Sequence, residues 1–324
     1  MRILLWHVHG AWTTAFVSGK HEYLVPVTPD RGPYGQGRAR TYAWPDTVVE
    51  VAPEELPGAD VDVVILQRPS ELELATRWLR RRVGRDVAAV YVEHNTPKGE
   101  VPATRHPMAD RDDLRLVHVT HFNHLFWDTG GTRTTVIEHG IPEPAVHYSG
   151  ELPRIGVAVN EPVRRWRVTG TDLLPRFAQV APLDVYGMKV AGLPRRLGLN
   201  GDRLRVYDDP PQTQLHQELA RRRLYLHPIR WTSLGLTLLE AMTIGVPVLA
   251  LATTEVVAAV PARAGVISTN VDTLVAAAEW LLSEPEAAHR MGAAAREVAL
   301  SRYSVDRFLA DWDRLLEEEV CGLR

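Results

Sequence analysis

The sequence predicts an α/β protein in two parts, each a doubly wound parallel sheet, with the two parts facing across a cleft. Three observations predict it. Short apolar, β-rich runs alternate with helical stretches through the first half. The same alternation repeats in the second half, and a proline-rich segment, "HGIPEPAVHYSGELPR" near 139–154, separates them. Strands apolar on both faces and separated by helices are the mark of a parallel sheet covered on both sides.

The first half reads as strands at 3–9 ("ILLWHVH"), 61–66 ("VDVVIL"), 87–94 ("VAAVYVEH"), 114–120 ("LRLVHVT") and 134–140 ("TTVIEHG"). Between the second and third, residues 71–83 place Leu72, Ala75, Leu79 and Val83 at helical spacing. Residues 28–46, rich in glycine, proline and arginine, read as a long surface loop of the kind that often carries function. The second half reads as strands at 154–160, 183–187, 203–208, 223–228, 246–252 and 264–268. Its helices fall near 171–180, 212–222 and 234–244, with 271–282, 285–300 and 304–319 closing the chain. The expected domains are 1–150 and 151–303, with 304–324 a helix returning to the first domain. In folds of this class ligands bind at the carboxyl ends of the strands.

Composition narrows the classes. With 45% apolar and 24% charged residues, this is the composition of a soluble globular chain. The formal net charge of −3 gives no electrostatic reason to expect a nucleic-acid partner. Lys20, Lys98 and Lys189 are the only lysines, so arginine carries nearly all the basic charge. That bias fits GC-rich coding, and arginine also suits bidentate phosphate contacts. The lone Cys321 excludes an intramolecular disulfide and a cysteine-based metal site. No apolar run reaches a membrane-spanning length and Met1-Arg2 leads directly into a strand, so the expected location is cytoplasmic.

The most informative stretch is "SLGLTLLEAMTIGVPVLALATTE", 233–255, which sets one carboxylate, Glu240, among core-type residues. An unpaired charge there is costly, so Glu240 needs a partner or an opening. Extended to "LYLHPIRWTSLGLTLLEAMTIGVPVLA", the segment resembles the donor-site motif of retaining GT-B glycosyltransferases of the group 1, family 4 type. Pro228, Gly235, Leu236, Leu239, Glu240, Ala241, Met242, Gly245, Pro247 and Val248 match in register. "GTDLLPRF" (170–177), residues 118–142 and the closing "RYSVDRFLADWDRLLEE" resemble further parts of that fold in the same order.

The resemblance implies two Rossmann-like domains and a nucleotide-diphosphate sugar as co-substrate, with no metal and no other cofactor. It makes Glu240 the acceptor of two ribose hydroxyls, a task suited to a group with acceptors only. Placed at the start of a helix, Glu240 is expected to feel unpaired backbone N–H groups, and Gly235 to let those groups hold the diphosphate. Thr232, Ser233, Leu234, Gly235 and Leu236 then line the donor site.

The departures from the motif matter equally. Thr232 stands where the family has the first glutamate of its E-x7-E motif, which contacts the donor sugar. The diphosphate-binding arginine falls at Arg164 in "NEPVRRWRVTG", but Thr169 replaces the lysine that follows it. Arg165 and Arg167 are at hand to stabilise the leaving diphosphate instead.

On the acceptor side the resemblance puts Gly10 near the phosphates, with His9 and Trp12 lining the cleft. Trp12 is equally readable as a core plug. His94 fits the place of a histidine beside the reacting sugar, with Arg164 its catalytic counterpart. Arg31, Arg38 and Arg40 read first as solvated arginines and second as candidates for an anionic acceptor, with Arg38 and Arg40 named as acceptor-binding residues. The histidines at 118, 121 and 124 do not assemble into a metal site on this reading.

The expected activity is retaining transfer of a hexosyl or pentosyl group to a hydroxyl of an antibiotic-type natural product or an envelope glycan. A catalytically silent nucleotide-binding subunit and a sugar-nucleotide epimerase remain the alternatives. The nucleotide base and the oligomeric state are open.

Overall fold

The computed structural model describes residues 1–323 and divides into two compact units: Met1–Gly140 with the closing helix from Val305, and Ile141–Ser304. The boundary falls earlier than 150 for a physical reason. The N–H groups of Tyr148, Ser149 and Gly150 bond to the carbonyls of Ile244 and Ala220, so this stretch belongs to the second unit.

The first unit is built on seven parallel strands: β1 (Arg2–Leu5), β2 (Glu22–Pro26), β3 (Val48–Val51), β4 (Val63–Leu66), β5 (Ala88–Glu93), β6 (Arg115–His118) and β7 (Thr134–Val136). Their order is β3-β2-β1-β4-β5-β6-β7, which reverses direction at β1/β4. Every residue of β4 and β5 is buried, as expected of strands covered on both faces. Helices α1 (Gly10–Val17), α2 (Ser70–Leu79) and α3 (His121–Phe126) supply part of that cover.

Strands β2 and β3, and helix α1, were not predicted. "EYLVP" and "VVEV" are too short to stand out beside the glycine- and proline-rich loop between them, and it is the pairing of β2 with β1 and of β3 with β2 that fixes them. The segment 28–46 is a loop, as expected, and closes back on itself through Arg38.

The second unit holds six parallel strands: β8 (Leu152–Ala158), β9 (Leu183–Gly187), β10 (Leu204–Asp208), β11 (Arg222–His227), β12 (Val248–Leu251) and β13 (Gly265–Ser268). Their order, β10-β9-β8-β11-β12-β13, reverses at β8/β11. The helices follow as α4 (Pro162–Arg165), α5 (Leu174–Val180), α6 (Leu193–Leu197), α7 (Gln212–Arg221), α8 (Leu236–Ile244), α9 (Val256–Ala259), α10 (Val271–Ser283) and α11 (Pro285–Arg302). Helix α8 is almost wholly buried, and Gly245 (φ 93°) ends it in the left-handed conformation that glycine tolerates.

Helix α12 (Val305–Leu323) packs in the first unit, with Phe308 and Trp312 against Trp12. Glu319 on its last turns is held by Arg115 and Arg133. No helix among the described residues is long and apolar enough to cross a membrane.

Candidate functional site

In the second unit the loops at the carboxyl ends of β8 and β11, on either side of the reversal, lie together. Gly170 (φ 67°) presses on the carbonyl of Pro228, and the Arg230 N–H bonds to the Val168 carbonyl at 2.8 Å. Arg230 also grips Asp172 with both terminal nitrogens, at 2.6 and 2.9 Å, and donates to the Arg167 carbonyl. Burial works against the charge of Asp172, and Arg230, its own backbone N–H and Arg167 together outweigh burial and keep its pKa below the ordinary value.

Glu240 is buried, 4% exposed, but lies in the second turn of α8 rather than at its start. The expectation that helix-start N–H groups hold it ionised is therefore corrected. Its neighbours come from α7. Gln212 Nε2 donates to Oε1 at 2.7 Å, and His216 Nε2 lies 3.5 Å from the same oxygen. No described residue donates to Oε2, which retains access to solvent.

The start of α8 is separate from Glu240. Its N-cap is Gly235, which offers no side chain, and the first turn holds no acidic residue. The N–H groups that open the helix are therefore neither capped by a side chain nor neutralised. Ser233 and Leu234 are buried, Leu236 is half-buried, and the half-buried Thr232 makes no hydrogen bond to protein through its hydroxyl.

Among the basic residues the structure reorders the expectation. Arg164 is exposed and paired with Glu161, which also takes Lys189 at 2.7 Å. Arg167 is exposed and pairs with Asp172. Arg165 is half-buried with no ion-pair or hydrogen-bond partner for its guanidinium among the described residues. Burial, and next the charge of Arg164, lower its pKa, although arginine stays charged at any working pH. A partly desolvated cation with no ion-pair partner is open to an anion, whereas Arg164 is already paired. Thr169 is buried, and its hydroxyl contacts Thr171 Oγ1 at 2.8 Å and donates to the Trp166 carbonyl at 3.1 Å. It is part of the loop's internal bonding and cannot do the work of a lysine.

In the first unit, His9 and His94 lie ring against ring at the ends of β1 and β5, centroids 4.1 Å apart. Burial, opposed by Glu93 and helped by Arg68, lowers the His9 pKa to about 4. Burial, followed by His9 and His139, drives that of His94 well below the ordinary value. Both rings are neutral near pH 7. Glu93, just before His94, accepts the Asn95 N–H at 2.6 Å and meets His106 Nε2 at 2.9 Å, which fixes the turn carrying His94.

Three acceptor-side expectations are corrected. Trp12 is 1% exposed, stacked on Phe16 and edge-on to Trp312, so it is core and cannot stack on a sugar. Arg38 donates to the carbonyls of Trp44, Pro45 and Val48, which occupies its guanidinium in shaping the loop. Gly10 opens α1 under the ring of Tyr42, which would collide with any Cβ there. Its side of the backbone is covered rather than open to phosphate. Arg40 is exposed on the same loop, and Arg31 pairs with Glu50. The histidines at 118, 121 and 124 form no metal-binding group, and none exists among the described residues.

Comparison with known proteins adds a family match over part of the second unit, and the fold. Residues 197–298, which include Gln212, Gly235 and Glu240, match the family model for glycosyl transferases group 1. No curated protein matches the chain in sequence. Sucrose-phosphate synthase from Thermosynechococcus elongatus is similar with a TM-score of 0.75 over 99% of each chain, at 15% identity. HepE of Anabaena, solved in complex with UDP, gives 0.69 over 98% of this chain and 99% of that one, at 14% identity. A glycosyltransferase from Rickettsia africae gives 0.66 over 98% of each chain, at 13% identity. The fold is GT-B.

Within this GT-B chain, sequence reasoning missed Gln212, His216, Arg230 and His227. Gln212 and His216 carried a usable signal, since four residues apart on α7 they share a face. Arg230 carried none, because its partner Asp172 is fixed only by the meeting of two loops.

Proposed function

We propose that the protein is a retaining glycosyltransferase that takes a nucleoside-diphosphate sugar in its second unit and transfers the sugar to a hydroxyl acceptor offered to its first. The observation that carries this reading is Glu240. It is a buried carboxylate with Oε1 held by Gln212 and Oε2 left for hydroxyl donors, within the segment matched by the family model. A carboxylate steadied on one oxygen is suited to the paired hydroxyls of a ribose.

In the proposed reaction the uncapped start of α8 and Arg165 receive the diphosphate. Arg165 gains interaction as negative charge builds on the departing group, the condition for lowering a barrier rather than merely binding. The acceptor hydroxyl attacks the anomeric carbon from the face the diphosphate leaves, and its proton passes to the departing phosphate oxygen. His94 and His9, as neutral imidazoles, orient hydroxyls by hydrogen bonding. With pKa values this low they are not strong bases near pH 7. The acceptor is a natural product or an envelope glycan, and the protein works in the cytoplasm without a metal.

A silent binding subunit is the second reading, favoured by Thr232 and by the inward-facing Thr169. Calorimetry against UDP, GDP, ADP, CDP and dTDP, with Glu240→Ala as the control, tests the donor site. A ligand at 100 times its Kd stabilises the fold by about 2.7 kcal/mol, which a thermal shift detects. One nucleotide that binds the wild type and fails on Glu240→Ala supports the reading, and no binding by any of the five refutes it. Release of that nucleotide from its sugar donor when acceptors are added separates the transferase from the silent subunit.

A further inference from the structure

His227 ends β11, buried and 1% exposed, with its ring against the backbone of Gly235. A Cβ at position 235 would lie 3.1 Å from Nε2 and nearer still to Cε1, so only a glycine there lets the backbone come this close to the ring. On the other side, the Tyr225 hydroxyl lies 3.4 Å from Nδ1. In the tautomer where the hydroxyl donates, its proton goes to Nδ1. The imidazole proton then resides on Nε2, and Nε2 has no hydrogen-bond partner in the protein.

A buried N–H without an acceptor costs roughly 1–3 kcal/mol, so its persistence calls for a partner. The donor sits beside Gly235, the N-cap of α8, whose opening N–H groups also lack side-chain partners. Two independent sets of donors thus converge on one place, and none of the nearby carboxylates serves them. Glu240 lies a turn further along with Gln212, while Asp172 and Glu161 are held by arginines and Lys189. Burial keeps the ring neutral, with a pKa of about 4, so it acts as a fixed dipole rather than a charge.

We propose that His227 is a donor-site residue whose Nε2–H hydrogen-bonds the diphosphate of the nucleotide at the start of α8. This rests on the donor reading above and adds to it a contact that the motif does not contain. Tyr225 is the positioning residue, since it selects the tautomer that presents the proton.

The test compares wild type, His227→Phe and His227→Gln by calorimetry with UDP and with uridine, or with whichever diphosphate and matching nucleoside the wild type binds. Phenylalanine keeps the ring volume and removes the donor. Glutamine reaches as far as Nε2 and restores one. The expected result is UDP affinity about 10- to 100-fold weaker in His227→Phe, the range for a hydrogen bond to a charged group. Uridine affinity should stay unchanged, and UDP affinity in His227→Gln should recover most of the loss. Equal UDP affinity in wild type and His227→Phe overturns the proposal and leaves the donor reading standing. Equal losses for UDP and uridine overturn it too, because the histidine would then act through the ribose side or the fold. If no nucleoside diphosphate binds the wild type, the donor reading itself fails, and this proposal falls with it.

Discussion

Lowering the pH from 7 to 5 should strip stability from the first unit well before the second. His9, His118 and His139 belong to the first unit, with pKa values lowered to about 4, about 3 and about 3. Burial is the main cause in each, with neighbouring histidines or arginines adding to it for His118 and His139. Both ring nitrogens of His118 and of His139 lack hydrogen-bond partners in the protein, so nothing there stabilises a proton.

The folded pKa lies below the unfolded value of 6.5, so the unfolded chain binds protons first. The stability contributed by the neutral ring is complete above pH 6.5 and falls as pH drops toward the folded pKa. Integrated from pH 7 to 5, each of these histidines costs about 1.9 kcal/mol, and the three together cost about 5.6 kcal/mol. His94, shifted the same way, adds to this. Such a loss is comparable with the whole stability of many domains. The second unit carries His227 with a similar shift, so its loss should be about 2 kcal/mol.

Urea unfolding at pH 7, 6 and 5 is the assay. Tryptophan fluorescence reports the first unit more strongly, because Trp6, Trp12, Trp44, Trp78, Trp127 and Trp312 lie in it. Ellipticity in the far ultraviolet reports both. The fluorescence transition should move to much lower urea at pH 5 and separate from the later ellipticity transition. A fluorescence midpoint unchanged between pH 7 and 5, or a second unit that unfolds first, would refute the reasoning.

Two further outcomes are expected. Trp12→Ala should destabilise the first unit by about 3–5 kcal/mol, the cost of a large cavity, as read from a lowered fluorescence midpoint; a change under about 1 kcal/mol would return Trp12 to the surface of a ligand site. Arg165→Ala should weaken nucleoside-diphosphate binding about 10-fold or more, whereas Arg164→Ala, which removes an exposed and paired group, should change Kd by less than about 3-fold. Calorimetry with the same nucleotide on both variants decides, and the reverse order would restore Arg164 to the diphosphate.

Much of the fold was legible because each element declares itself locally. The apolar runs of β4, β5 and β12 and the helical spacing of α2 and α8 need only their own residues. The strands that escaped, β2 and β3, are short, and their stability comes from neighbours. Glu240 was legible because a charge within an apolar helix is anomalous in any register. Its actual support was not, since Gln212 comes from another helix. Trp12 was undecidable in sequence, because stacking on a sugar and plugging a core ask for the same ring. The contacts with Phe16, Phe308 and Trp312 settle it, and two of the three come from the far end of the chain.

By itself, then, the sequence determined the alternation of strand and helix, the division near the proline-rich boundary, and the placing of Glu240 within an apolar helix. These follow from periodicity and spacing, which a chain carries along its own length. Only the tertiary structure decided that Arg165 rather than Arg164 is the unpaired cation, that Arg38 shapes a loop, and that the unpartnered Nε2 of His227 lies beside Gly235. Those outcomes depend on which partner reaches which atom. A hydrogen bond or ion pair is made over about 3 Å in space, and the spacing of residues along a chain does not record it.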